Sequence, residues 1–132
     1  MRILSLRVSV VLLLAFLGCV AAPAAHAHAR TVRTEPAKDT EVATAPEHIQ
    51  LWFNELLEDG FNVITVFPAA EIAKKKRTEF TKEKPHVNPK DRTNLSVKLK
   101  PLPAGEYIVE WRVLSRDGHS APGRITFKVL AR

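Results

Sequence analysis

The chain has 132 residues, with 20 Lys+Arg against 14 Asp+Glu, one cysteine and one methionine. One cysteine excludes an intramolecular disulfide framework, and a formal net charge of +6 is too small for a dedicated nucleic-acid binder. The sequence contains no hydrolase elbow, phosphate-binding glycine loop or nucleotide fingerprint, which argues against the common enzyme classes.

The first 27 residues have the three-part layout of a secretory signal peptide. Arg2 and Arg7 provide a basic start, Val8 to Val20 is an apolar run, and small residues follow in "VAAPAAHAHA". The apolar run is shorter than the ~20 residues that span a bilayer as a helix. We therefore predict an exported, soluble protein.

Cleavage after Ala27 would release one domain, residues 28–132, that begins with His28. Without Arg2 and Arg7 this domain keeps 18 Lys+Arg and a net charge of about +4. Three alternatives remain open: a start at Arg30, a cut that retains His26, and a lipid anchor on Cys19.

Strand signals recur along the mature chain, whereas helix signals are weak. Period-two alternation of apolar and polar residues predicts half-buried antiparallel strands, about seven in roughly 100 residues. This pattern predicts an all-β fold, a small β-sandwich. In "LPAGEY" the turn before Tyr107 is similar to a tyrosine corner. The predicted strands are RTVRTEP (30–36), HIQLWFN (48–54), FNVITVF (61–67), RTEFT (77–81), NLSVKLK (94–100), EYIVEWRVL (106–114) and RITFKVL (124–130).

A basic segment, residues 74–92, interrupts the strand pattern and includes the predicted loop "KEKPHVNPKD". Its densest part is the run Lys74, Lys75, Lys76 and Arg77. One interpretation is a solvated loop. The other is a docking patch for an acidic partner or an anionic membrane surface.

Asp117 and His119 lie two positions apart between the last two predicted strands. In an extended segment their side chains project to the same side, so a carboxylate and an imidazole can face one centre. The alternative is a polar turn in which Asp117 caps backbone amides and His119 is solvated.

A terminal His28 would add two nitrogens from one residue, the α-amine and the ring Nδ1. With Asp117 and His119 the set becomes three nitrogens and one oxygen. Such a nitrogen-rich, tetragonal set suits Cu(II), whereas zinc favours a tetrahedral one.

The stretch "PAGEYIVEWRVLSRDGHSAPGRITFKV" resembles the C-terminal signature of the CopC-type periplasmic copper-binding proteins. "TEPAKDTEVATAPEHIQLWFNE", together with His28, is similar to the N-terminal signature of the same family. The resemblance covers both ends of the mature chain but not its middle.

The resemblance implies a Greek-key β-sandwich, immunoglobulin-like with cupredoxin-like barrel character. It implies one Cu(II) per chain, held by His28, Asp117 and His119, with Glu55 as an outer ligand. It further implies a non-enzymatic role in copper resistance or homeostasis, with a CopD-like copper transport protein of the inner membrane as partner.

The middle of the chain departs from the family. Several members hold Cu(I) in a methionine-rich loop, but this chain has no methionine after Met1. We therefore expect no Cu(I) thioether site. Two other functions stay open: an immunoglobulin-like interaction module that docks through residues 74–92 without metal, and redox or oxygen chemistry at an open copper position.

Overall fold

The computed structural model describes residues 29–131, which form eight strands and one short 3-10 helix. The predicted all-β class is confirmed. Within this part of the chain, no helix is long and apolar enough to cross a membrane. The elements are β1 (Thr31–Glu35), β2 (Thr40–Val42), β3 (His48–Phe53), β4 (Val63–Pro68), the 3-10 helix (Ala69–Glu71), β5 (His86–Asn88), β6 (Asp91–Lys98), β7 (Gly105–Leu114) and β8 (Ser120–Val129).

The strands form two four-stranded sheets, ordered β1-β3-β6-β5 and β2-β8-β7-β4. Every pair is antiparallel except β2 with β8. The inner faces of the two sheets form the core, in which Ile49, Leu51 and Phe53 alternate on β3 as predicted. The predicted β-sandwich is confirmed.

The predicted strand over residues 77–81 is wrong. The backbone N–H of Phe80 donates to the Val66 carbonyl in one sheet, whereas the carbonyl of Phe80 accepts from the Lys100 N–H, just beyond the end of β6 in the other sheet. Because this segment crosses between the sheets, it forms only an isolated bridge at Thr81 and no ladder. The short strands β2 and β5 were not predicted, since three residues give too little alternation to detect.

The tyrosine corner predicted at the start of β7 is confirmed. The Tyr107 hydroxyl donates to the Pro103 carbonyl at 2.7 Å. Its buried ring stacks on Phe127 and meets the edge of Phe80, with centroids 5.6 and 5.4 Å away. These contacts fix the loop that precedes β7.

Gly123 on β8 lies directly opposite Trp111 on β7. A Cβ at Gly123 would lie only 2.2 Å from Trp111 Cζ2, well inside van der Waals contact. Glycine is therefore required here by the close approach of the buried indole ring.

Candidate metal centre

The turn between β7 and β8, residues 115–119, is tightly closed by backbone hydrogen bonds. The last ladder pair is Leu114 with Ser120. Beyond it, the Ser115 N–H donates to the His119 carbonyl at 3.0 Å, and the Gly118 N–H donates to the Ser115 carbonyl at 2.9 Å. Gly118 has a φ of +90°, a conformation that favours glycine.

The side chains of this turn bond to one another. Asp117 Oδ1 accepts hydrogen bonds from the Ser115 hydroxyl and, at 3.1 Å, from the His119 backbone N–H. Asp117 Oδ2 lies 2.9 Å from Nδ1 of the His119 ring. The structure thus combines both interpretations of the motif, because Asp117 caps a backbone amide and also contacts the imidazole.

These contacts stabilise the ionised form of Asp117. The hydrogen bond from Ser115, followed by those from the His119 ring and amide, lowers the pKa of Asp117 to about 2. A hydrogen bond from Nδ1–H to this carboxylate leaves Nε2 as the lone-pair donor of the neutral ring, so direct binding of both side chains to one ion requires this contact to open. The His119 side chain is 58% exposed, so a metal ion could approach this pair from solvent.

Two other segments meet the turn at the same end of the sandwich. Leu57 forms an isolated bridge with Ser115, and the Arg116 N–H donates to the Leu56 carbonyl at 2.9 Å. Two hydrogen bonds join Asn54 to Arg30. The Arg30 N–H donates to Asn54 Oδ1 at 2.6 Å, and the Asn54 N–H donates to the Arg30 carbonyl at 3.0 Å. The start of the described chain is therefore tied to the segment that contacts the turn.

The structure brings together two of the predicted metal ligands, Asp117 and His119. His28 lies outside the described residues. Glu55, which directly follows Asn54 in the sequence, is half-buried. Within residues 29–131, no group of three or more histidine, cysteine or acidic side chains is arranged to hold a metal ion. Asp117 and His119 therefore form part of a candidate centre.

The basic run is partly engaged with the rest of the fold. Lys74 pairs with Glu71 at 3.0 Å. Arg77 pairs with Glu110 at 3.0 Å and lies 4.2 Å above the centre of the Phe67 ring. Lys75 and Lys76 are exposed. Three of the four residues of the predicted docking patch, Lys74, Lys75 and Lys76, are thus exposed, and Arg77 packs against the second sheet.

Sequence reasoning missed two residues that position the centre. Ser115 is 1% exposed and donates to Asp117, and the Ser-x-Asp spacing at a turn is a recognisable signal for such a bond. Asn54 fixes Arg30 through its side chain, and no local sequence signal indicates that contact.

The described chain is thus a small β-sandwich that carries a paired aspartate and histidine on its last hairpin. The family model described as "CopC domain" matches residues 31–130. The chain belongs to the CopC family, as its resemblance to CopC-type proteins predicted.

Relatives with copper-related names support this assignment. Copper resistance protein C of Pseudomonas syringae pv. tomato is 35% identical over 116 residues, covering 85% of this chain and 88% of that protein. The copper transport protein CutJ of Bacillus subtilis is 34% identical over 105 residues, which are 78% of this chain but only 18% of CutJ. The chain therefore corresponds to a small part of CutJ.

The crystal structure of PcoC, a methionine-rich copper resistance protein from Escherichia coli, has the same fold. It superposes with a TM-score of 0.65 at 31% identity, covering 79% of this chain and all (100%) of PcoC.

Proposed function

We propose that the protein is an exported, periplasmic Cu(II)-binding protein that binds one Cu(II) per chain. It sequesters the ion or carries it to a CopD-like copper transport protein of the inner membrane. Membership of the CopC family and the copper resistance and copper transport relatives support a copper-related role. The observation that carries the proposal is the 2.9 Å contact between Asp117 Oδ2 and His119 Nδ1 on an exposed turn.

The proposed ligands are the α-amine and ring Nδ1 of His28, the ring of His119, and Asp117. Chain connectivity supports the proposal that His28 is a ligand. Arg30 is fixed to Asn54, and only two Cα–Cα steps of about 3.8 Å separate His28 from Arg30. Glu55, the residue after Asn54, is the proposed outer ligand.

The donor set favours Cu(II) over Cu(I). Its nitrogen and carboxylate donors suit Cu(II), whereas Cu(I) prefers thiolate and thioether ligands. PcoC is described as methionine-rich, but this chain has Met1 as its one methionine. We therefore propose that the protein has no Cu(I) thioether site and that any exchange with a partner occurs at the Cu(II) centre.

A carrier role fits this centre better than catalysis. The ligand set provides no general base beside a position for an organic substrate, and the sequence has no catalytic signature. Exposed ligands instead permit release by ligand exchange with a partner, because an incoming donor can reach the ion from solvent.

The test is to purify the exported protein without tags and to determine its mass and its metal. We expect a mass for residues 28–132 and one Cu(II) per chain, with a tetragonal, nitrogen-rich electron paramagnetic resonance spectrum. A chain that begins at Arg30, or lipid on Cys19, would eliminate the amine chelate. An exported chain that starts at His28 and binds no copper would favour the metal-free interaction module.

A further inference from the structure

The outer face of the β2-β8-β7-β4 sheet contains an open groove next to the candidate centre. Two cross-strand rows form its floor, and above them lies a cavity of about 530 Å³. We call this feature the outer groove. Its rows are Val63, Arg112 and Pro122, and Thr65, Glu110 and Arg124.

The outer groove is rich in arginine. Glu110 binds two guanidinium groups, those of Arg77 at 3.0 Å and Arg124 at 2.5 Å. Arg112 is exposed and forms no ion pair with any residue in the range 29–131. Two guanidinium groups therefore bind one carboxylate, a third arginine lies two residues away on the same strand, and the surface has an excess of positive charge.

A second hollow of about 430 Å³ extends the positive surface beyond Arg77. Three basic residues, Lys74, Lys75 and Arg77, line it with Thr65, Phe67 and one acidic residue, Glu79. Since Thr65 also lines the outer groove, the two hollows are neighbours on one face of the sheet.

An exposed apolar side chain, Val63, lines the outer groove at the end that faces the candidate centre, and a second exposed apolar residue lies two positions earlier in the chain. Val63 is 51% exposed, and Phe61, two residues earlier, is 69% exposed. Large exposed apolar groups beside arginines are characteristic of protein–protein contact surfaces. The concave shape also suits a protein segment better than the flat surface of a bilayer.

We propose that the outer groove binds an acidic segment of a partner protein that also carries apolar side chains. The guanidinium groups would bind its carboxylates, and Phe61 and Val63 would pack against its apolar groups. Arg112 and Pro122 are three residues from Ser115 and His119, so a bound segment lies roughly 10 Å from the turn. Copper transfer to that partner would rest on the proposed function, but the docking itself does not.

The test uses the copper-free exported chain and a capped peptide of eight alternating glutamate and leucine residues. We expect binding that weakens with added salt and shifts the amide resonances of Val63, Thr65 and Arg124. The variant Arg112→Glu should weaken binding about tenfold. The control Lys90→Glu makes the same charge change on the loop between β5 and β6, and it should have little effect.

Two other results would contradict the proposed docking. Equal losses in Arg112→Glu and Lys90→Glu would show attraction by net charge alone and overturn the proposal. Binding to phosphatidylglycerol vesicles but not to the peptide would assign the surface to lipid headgroups instead. Arg112→Glu should retain its Cu(II) affinity, and peptide binding is measured without copper, so failure of either proposal can be distinguished from failure of the other.

Discussion

At the start of β7 the Tyr107 ring is buried and its hydroxyl bonds to the backbone, whereas beyond its end Asp117 and His119 are partly exposed and bond to each other. Both regions belong to one stretch of sequence, "PAGEYIVEWRVLSRDGHS". Tyr107 contributes to the core between the sheets. The turn contributes polar groups whose hydrogen bonds are satisfied locally and whose side chains face solvent.

The start of β7 therefore contributes mainly to the stability of the fold, and the turn after its end contributes mainly to the candidate metal centre. Removal of a buried group at Tyr107 or Trp111 should lower the free energy of unfolding and leave metal affinity unchanged. Removal of an exposed side chain in the turn should lower metal affinity and leave the free energy of unfolding nearly unchanged, because few core contacts depend on it. Mutations at the two regions can therefore test whether the candidate centre is independent of the core.

Among the single substitutions, the largest effect is expected for His119→Ala. Loss of the imidazole removes one proposed donor, so Cu(II) affinity should fall more than a hundredfold, or about 3 kcal/mol. The apo protein should unfold within about 0.5 kcal/mol of the parent, since the side chain is exposed. Competition titration against a Cu(II) chelator measures the affinity. His86→Ala, at an exposed histidine on β5, is the matched control, and equal losses in both variants would contradict the assignment.

Gly123→Ala should destabilise the protein by about 2 kcal/mol, because the added Cβ overlaps the Trp111 indole ring. Urea unfolding measures the change. In a Trp111→Leu background the clashing atoms are absent, so the additional cost of Gly123→Ala should largely disappear. A cost that is the same in both backgrounds would show that the close approach is not its cause.

Tyr107→Phe should lower the free energy of unfolding by about 1 kcal/mol, through loss of the hydrogen bond to Pro103. For a domain of this size, the melting temperature should fall by roughly 4–8 °C. Copper affinity should not change. A drop in affinity would show that the two ends of β7 are coupled.

The smallest effect concerns the titration of Asp117. Because its pKa is lowered to about 2 in the folded protein, its ionised form stabilises the fold above about pH 4. That contribution is lost as the pH falls through about 2. Ser115→Ala removes the first cause of the shift and should raise the pKa, as followed by NMR of the Asp117 carboxyl carbon. Ser120→Ala, next to the turn, should leave the pKa unchanged, and an unchanged midpoint in Ser115→Ala would contradict this explanation.

Much of the fold could be predicted from the sequence because apolar and polar residues largely alternate along its core strands. The alternation in "HIQLWFN" predicted β3, and the buried positions of β7 were predicted by the same rule. The alternation pattern gave a wrong strand boundary where local strand propensity and tertiary contacts differ. Phe61 has strand propensity, but β4 begins at Val63 and Phe61 is exposed in the preceding loop.

The candidate centre was only partly predictable. The spacing of Asp117 and His119 indicated a shared centre, and the structure brings the two side chains into contact. The tie between Arg30 and Asn54 could not be predicted, because it joins residues 24 positions apart without a local signal. The assignments of His28 and Glu55 as ligands stay predictions.

The central claim is that the terminal amine of His28 binds copper together with the turn. The most direct test compares the Cu(II) affinity of residues 28–132 with that of the same chain extended by one methionine before His28. The extension converts the amine to an amide but keeps the imidazole, so affinity should fall by several orders of magnitude, more than in Glu55→Ala. Apo stability should barely change. Equal Cu(II) affinity in the extended and native chains would contradict the claim, because it would show that the amine is not a ligand.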